Sequence, residues 1–413
     1  MAKKQDKQII TGLDIGTSKI VALIAEVSED GSINVIGMGR HPSRGLKRGV
    51  VVDIEATVNS IQRAIEEAEL MANCEVSTVY AGIAGSHIRS LNSHGIVAIK
   101  DKEVTRADVE RVIEAAKAVA IPADQKILHV LPQEFIIDNQ GSIREPLGMA
   151  GVRLEANVHI VTGAVSAAQN IVKCVNLCGL QVEDIILEQL ASSHSVLTDD
   201  EKELGVCLID IGGGTTDIAV FSQGAIQHTA VIPIAGDQVT NDIAMALRTP
   251  AKSAEQIKIQ YATTIPSHAS TNDMIEVSPA SNDRAGRKIA ASMLAEVVYA
   301  RYEELYMLVN NELLRSGFAD RIPAGLVITG GGSCVNGALS LAEMSFNMPV
   351  RHGLTHRLPG MPDESISPTM ATSVGLLIHG FNHKQETGYN TPRLRPQAKN
   401  VWAKMRAWFQ GNF

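Results

Sequence analysis

The sequence predicts an α/β protein made of two copies of one unit around a shared cleft. A small inserted α+β domain and a C-terminal amphipathic helix complete it. Three observations predict this. Two distant stretches share one order of strand, Gly/Thr turn, strand, tight turn and strand. The halves that follow them share a second order of alternating strands and helices. The composition is that of a packed chain: of 413 residues, 45% are apolar and 20% charged. That excludes general disorder, and at about 150 residues per domain it suggests two to three domains.

The first copy opens with an apolar strand from Ile10 and the turn Asp14-Ile15-Gly16-Thr17-Ser18, then Ile20 to Leu23, a turn at Glu29-Asp30-Gly31, and Ile33 to Gly37. The second runs from Val206 through Asp210-Ile211-Gly212-Gly213-Gly214-Thr215 to Ile218–Phe221, a turn at Gln223-Gly224, and Ala225 to Ile234. Helical patterns follow, at 55–72 and 239–247. Val158 to Gly163, with a helix to Cys178, a strand at 182–187 and a helix from Ala191, is matched to Leu326–Gly332. There the followers are a helix to Phe346, a short strand near Val350 and a helix at 369–379. Such repetition points to two α/β domains of common origin. Residues 86–157 fall between the halves of the first copy, with a helix at 105–119 and strands at 126–130 and 134–138. Residues 251–318 interrupt the second copy and look mostly helical after Asp283. The expected boundaries are 8–85 and 158–203 for the first domain, 86–157 for its insertion, and 204–250 and 319–364 for the second domain. Its insertion takes 251–318, a closing helix 365–383, a linker 384–396 and the tail helix 397–413.

Charge narrows the function. The net is −8, yet the segment after Glu386 holds Arg393, Arg395, Lys399, Lys404 and Arg406 with no acid. An acidic body argues against a nucleic-acid role, and a cationic tail suits an anionic partner. Five cysteines without disulfide-like spacing suggest a reducing compartment. Met1 to Lys7 is charged and lacks an apolar core, so no secretory leader is expected. No apolar run of membrane-spanning length occurs.

The glycine clusters carry the chemistry. In a turn such as Asp14 to Ser18, successive backbone N–H groups can point at a phosphate, because Gly allows close approach. One such hairpin is more often a structural turn. Two in matching frames, with Thr329-Gly330-Gly331-Gly332-Ser333 as a third cluster, point to phosphate binding. Asp14 and Asp210 would then hold Mg²⁺ from either side through its waters. Neither a P-loop nor a dinucleotide fingerprint is present. Cys174/Cys178, His352/His356 and His379/His383 have ligand-like spacing but no second pair to complete a metal set, and Ser192-Ser193-His194 is no triad merely by adjacency.

These clusters resemble the phosphate-1, phosphate-2 and adenosine motifs of the actin, sugar-kinase and heat-shock-chaperone ATPase superfamily. The two connecting motifs are matched by 188–193 (EQLASS) and 371–376 (ATSVGL). The resemblance implies a duplicated actin-like (ribonuclease H-like) ATPase fold with ATP and Mg²⁺ in the cleft. The expected contacts are Asp14, Gly16, Thr17, Ser18, Lys19, Asp210, Gly212, Gly213, Gly214, Thr215, Asp217, Gly236, Asp237, Gly330, Gly331 and Gly332. Glu255 and Lys258 match the Glu-x-x-Lys spacing used around adenine and ribose; alone, such a pair is more often a solvated surface pair. Glu188 or Gln189 sits where actin-like ATPases position the attacking water, and a structural role is equally compatible. Any ATPase activity is expected to be weak.

Within the superfamily the chain is similar to the FtsA family of bacterial divisome actin homologues. The gap from Arg40 to Asp53 is too short for the domain that actin carries there, and the insertion falls at 86–157 instead. Pro132-Gln133-Glu134 is also similar. That resemblance implies a cell-division adaptor rather than an enzyme. It would bind the C-terminal peptide of the tubulin-like FtsZ, itself, later divisome membrane proteins and the cytoplasmic face of the inner membrane. Along 397–410, Trp408, Val401, Met405, Phe409 and Trp402 fall within a helical arc of roughly 120°, flanked by Lys404 and Arg406. Both tryptophans of the chain lie there, as an interfacial helix on anionic phospholipid requires. The segment around 298–305 resembles the family's FtsZ-receptor helix, with Arg301 and Glu304 as candidate contacts or, at i, i+3, a pair within the helix. A phosphotransferase or a pilus-assembly ATPase homologue is the alternative. No substrate base is identifiable for the first, and the cationic Trp-bearing tail disfavours the second.

Overall fold

The computed structural model describes residues 8–28, 31–269, 272–279 and 286–386. The first unit opens with β1 (Gln8–Ile15), β2 (Lys19–Val27) and β3 (Ile33–Pro42), an antiparallel meander. A small ribbon, β4 (Leu46–Lys47) and β5 (Val50–Val51), fills the short gap before α1 (Ile54–Ala72). Asp53 caps that helix by accepting from the Ala56 N–H, and Asn73 ends it in the left-handed conformation. β6 (Thr78–Ile83) then pairs parallel with β1.

The insertion is β7 (Arg89–Ala98), α2 (Arg106–Ala116), β8 (Gln125–Ile137), β9 (Gln140–Ile143) and β10 (Arg153–Ala164). They form a four-stranded antiparallel sheet ordered β7-β10-β8-β9, with α2 packed on it over a separate core. The first unit resumes with α3 (Val165–Leu177), β11 (Gln181–Leu187), α4 (Glu188–Val196) and α5 (Asp199–Leu204). The second unit holds β12 (Val206–Ile211), β13 (Thr216–Ser222), β14 (Ala225–Ile232), α6 (Gly236–Ala246) and α7 (Ala251–Tyr261). A hairpin of β15 (Met274–Val277) and β16 (Arg287–Ala290) leads into α8 (Ala291–Ser316). β17 (Leu326–Thr329), α9 (Ala338–Phe346) and β18 (Val350–His352) complete it, and the last helix, α10 (Ala371–Glu386), returns to pack on β1, β2, β6 and α4 of the first unit.

The duplication is visible in the strand orders. The first sheet runs β11-β6-β1-β2-β3 and the second β18-β17-β12-β13-β14, the same order element for element. This corrects one expected match. Val158–Gly163 belongs to β10, the central strand between β7 and β8, so the counterpart of Leu326–Thr329 is β6. Its apolar run is buried in the insertion's sheet rather than in the first unit's, and the insertion's sheet therefore extends to Ala164 instead of stopping at Asn157. The two strands expected at 126–130 and 134–138 are one strand, β8. It absorbs Pro132 through a register shift that leaves Gln133 bulged. The insertion in the second unit carries the β15–β16 hairpin besides its helices. α10 continues through residues 384–386, which were expected to start the linker. The turn at Glu29-Asp30-Gly31 lies partly outside the described residues, and the tail helix and most of the linker lie wholly outside them.

The core of the first unit is continuous with Val206, Leu208, Ala219 and Phe221 of the second, so the units share packing as well as a cleft. The insertion also reaches across. The bulged Gln133 donates to the Ile226 carbonyl (2.9 Å), Ser90 to Thr229 O (2.9 Å) and Asn92 to Gln227 O (3.3 Å). They use carbonyls of β14, an edge strand. The buried His159 sits between Asn92 Oδ1 (2.7 Å) and Thr229 Oγ1 (2.9 Å). Because Asn92 donates its amide to Gln227, its Oδ1 accepts from His159 Nδ1–H, and Nε2 accepts from the Thr229 hydroxyl.

Candidate nucleotide site

The β1–β2 and β12–β13 turns face each other. A side chain added at Gly213 would lie 3.0 Å from Ser18 Cβ, and one at Gly214 only 2.6 Å from Thr17 Oγ1. Glycine is therefore required where the turns meet. Gly49 N–H donates to Thr17 Oγ1 (2.9 Å), which fixes the first turn against the β4–β5 ribbon. The first turn of α6 locks the second, with Gly236 N–H donating to Gly212 O (3.1 Å) and Asp237 N–H to Gly213 O (2.8 Å). The third cluster divides by role. Gly330 adopts a positive φ of 82° and abuts Asp210, and Gly332 is packed against Ile211, whereas Gly331 has open space beside it.

Asp14 and Asp210 end equivalent strands, and both are buried. Asp14 Oδ2 accepts from Ser373 (2.9 Å); Asp210 Oδ2 accepts from Ser192 (2.6 Å) and, at 3.4 Å, Thr372. Asp217 stands directly opposite Asp210 in the β12–β13 register and accepts from Thr215 (2.8 Å). Burial pushes the Asp210 carboxyl up to about 6 against the pull of Ser192. It pushes Asp217 up to about 7, with the charge of Asp210 adding to it. Burial also raises Asp14, opposed by Lys19 and Ser373, and lowers the Lys19 ammonium to about 8. Lys19 Nζ donates to the Thr369 carbonyl. Such a concentration of buried acids is only partly offset by Lys19 and suits a further cation.

Glu188 lies over Gly82 of β6. Burial, then the charges of Asp14, Asp217 and Asp210, raise its carboxyl far above the ordinary range, so it faces the same acidic centre. Gln189 is fully buried and neither end of its amide has a hydrogen-bond partner. Asp217 Oδ1 is likewise unpartnered. Unpartnered buried polar atoms are uncommon. Here they accompany a glycine-lined space and a set of hard oxygen donors, so these residues fit an Mg²⁺–phosphate group. Glu255 and Lys258 are no solvated surface pair. They bond at 2.7 Å, and Lys258 also donates to Gly236 O (3.0 Å) and Thr240 Oγ1 (2.8 Å), beside Asp237.

The structure thus brings the three glycine clusters, both strand-end aspartates, Lys19, Asp217, Glu188 and the Glu255/Lys258 pair to one cleft. Sequence reading missed the hydroxyls of Thr372, Ser373 and Ser192 as partners of the aspartates. The signal was there, an alanine followed by two hydroxyl residues in each connecting motif, Ala191-Ser192-Ser193 and Ala371-Thr372-Ser373. No catalytic triad exists at Ser192, which serves Asp210 while the His194 ring lies tilted against that of His379, 5.8 Å between centroids. Cys178 Sγ points back to the Cys174 carbonyl, and burial pushes both thiols up to about 11.

A second concavity lies away from the cleft. Between α6 and α8, Asp242, Met245, Ala246, Val297, Ala300 and Arg301 line a groove of about 370 Å³. Arg301 is already paired, with Asp242 through two nitrogens (2.5 and 3.0 Å) and with Glu304 on its own helix. The residues expected to meet a membrane, Val401, Trp402, Lys404, Met405, Arg406, Trp408 and Phe409, lie outside the described residues. Among the described residues no helix is long and apolar enough to cross a membrane.

Comparison with known proteins agrees with this architecture. Residues 85–162 match the family model "SHS2 domain inserted in FTSA", and residues 207–375 match "Cell division protein FtsA". A cell division protein FtsA of Pseudomonas aeruginosa is 59% identical over 419 aligned positions, covering 100% of both chains. In fold, a chain of the PilM–PilN type IV pilus biogenesis complex superposes with a TM-score of 0.65 at 15% identity, over 90% of this chain and 98% of that one. MreB5 of Spiroplasma citri bound to ADP gives 0.54 at 16% identity, over 93% and 98%.

Proposed function

The chain belongs to the FtsA family of cell division proteins, and on that premise we propose that it is an ATP-binding, actin-like adaptor that ties the FtsZ ring to the cytoplasmic membrane. The observation that carries the nucleotide reading is the facing pair of glycine turns, each ending a strand at a buried aspartate. Backbone N–H groups of residues 16–18 and 213–215 would hold the β- and γ-phosphates, and Lys258 with Glu255 would border the ribose. Gly331, open to the cleft, allows close approach of the adenosine. Mg²⁺, held through its waters by Asp14 and Asp210, would neutralise phosphate charge. Glu188 is the stronger candidate to orient water, because it faces the acidic centre; its raised proton affinity fits slow turnover.

The groove between α6 and α8 is the proposed seat of the FtsZ C-terminal peptide. Its Val297, Ala300 and Met245 offer apolar contact, and Arg301 offers a cation that an acidic peptide could share with Asp242. The residues 397–413 would lie in the inner-membrane interface and hold the body at its cytoplasmic face. Self-association and docking of later division proteins on the inserted domain complete the reading. The test is co-sedimentation with anionic liposomes in the presence of purified FtsZ, using the full chain and a chain ending at Pro396. The full chain should carry FtsZ to the vesicles, and the shortened one should leave both in solution. Recruitment that survives the truncation would overturn the anchor.

A further inference from the structure

The two aspartates are each held by a helix of the pair α4 and α10. Ser192 stands on α4, in the first unit, yet its hydroxyl donates to Asp210 of the second. Ser373 stands on α10, which follows the second unit in the chain but packs on β1 and β2 of the first, and its hydroxyl donates to Asp14 there. Thr372 joins Ser192 at 3.0 Å and reaches the same oxygen of Asp210. Both serines are fully buried, so neither hydroxyl has water as an alternative partner.

In each carboxylate it is Oδ2 that accepts the serine. The other oxygen turns towards a glycine of the proposed phosphate cradle. Asp14 Oδ1 lies 3.5 Å from the position a Gly16 side chain would take, and Asp210 Oδ1 only 2.3 Å from that of Gly330. The helices that supply the serines are packed against each other without a side chain between them. A side chain on Gly375 of α10 would lie 1.8 Å from the Ala191 carbonyl of α4. The two hydroxyls therefore come from a single rigid pair of helices between the units.

We infer that Ser192 and Ser373 are positioning residues that set which oxygen of Asp210 and Asp14 is offered to Mg²⁺. The inference deepens the nucleotide reading above and rests on it. Without Ser373 the Asp14 carboxylate is free to turn about its last side-chain bond, and without Ser192 that of Asp210 keeps only the longer bond from Thr372. Each also loses a charge-assisted hydrogen bond that offsets its burial. Metal binding, which needs an ionised and oriented oxygen, suffers first. Nucleotide contacts made by the backbone do not depend on it.

The experiment measures affinity for a fluorescent ATP analogue, in EDTA and across an Mg²⁺ titration, for the full chain and for Ser192→Ala, Ser373→Ala and Ser195→Ala. Ser195 is the control. It lies on the same helix, and its hydroxyl bonds the Ala371 carbonyl of α10 (2.6 Å) without touching a carboxylate. The expected result is a half-saturating Mg²⁺ concentration raised about tenfold or more in Ser192→Ala and Ser373→Ala. Affinity in EDTA should stay unchanged, and Ser195→Ala should match wild type. A Ser373→Thr variant, which keeps the hydroxyl, should recover most of the Mg²⁺ response. Equal weakening with and without metal in the Ala variants, or an Mg²⁺ requirement like that of wild type, would overturn the inference. A wild-type chain that binds the analogue in neither condition would overturn the nucleotide reading itself, and the inference with it.

Discussion

Burial holds the Asp210 carboxyl up at about 6 and that of Asp217, directly across the strand pair, up at about 7. At pH 8 the folded, ligand-free protein therefore carries ionised groups where neutral ones are favoured. In the unfolded chain Asp210 loses its proton near 3.8, but in the folded chain only near 6. The stability it contributes below 3.8 is lost as pH rises through 6. Asp210→Asn should restore about 3 kcal/mol to the nucleotide-free protein at pH 8, and little at pH 4. Urea denaturation at the two pH values checks it. An equal effect at both would mean that the shifted proton affinity is not the cause. Much of this site was legible in the sequence, because a glycine turn between two apolar strands is a local signal. The partners of the aspartates were not. Ser192 and Asp210 are 18 residues apart, and Ser373 and Asp14 are 359 apart, so only the folded helices bring them together.

At the scale of elements, α10 is the clearest case of backbone packing deciding sequence. Gly375 meets Ala191 of α4, Gly380 meets the Tyr80 ring, and on the partner side Gly12 of β1 meets the Leu376 turn. In an exposed helix, Gly to Ala gains about 1 kcal/mol. Here the added methyl would strike a backbone carbonyl, so Gly375→Ala should instead destabilise by about 3 kcal/mol, read as a lowered denaturant midpoint. A midpoint at or above wild type would refute the close approach. On α8, Arg301 shapes the groove through its bond with Asp242. Arg301→Glu sets a third acid beside Asp242 and Glu304, and should lower affinity for an FtsZ C-terminal peptide at least tenfold while nucleotide binding is retained. Wild-type peptide affinity in that variant would place the contact elsewhere. Element types followed from periodicity, whereas membership did not. The apolar run of β10 looks like any buried strand, and its place in the inserted sheet depends on pairing with β7 and β8.

Across the whole molecule, the insertion binds the second unit through side chains on the edge of β14, with His159 at the centre of the seam. Burial, with His228 and His129 nearby, pushes that imidazole down to about 3, so it stays neutral when docked. A freed His159 would take up a proton near its ordinary value of 6.5. Docking strength is therefore intact above 6.5 and falls as the pH drops below it, by about 2 kcal/mol at pH 5. Hydrogen exchange at residues 226–229 should accelerate at pH 5 beyond the intrinsic rate change, and His159→Gln should remove that dependence. Exchange that follows the intrinsic rate alone would leave the seam insensitive to His159. Whether the two units share one Mg²⁺-dependent ATP site is decided most directly by titrating Mg·ATP into the full chain and into Asp210→Ala by calorimetry, with circular dichroism as the check on folding. The expected result is saturable binding by the full chain that Asp210→Ala loses at least tenfold while remaining folded. Wild-type affinity in folded Asp210→Ala would contradict a site built on the second unit's aspartate.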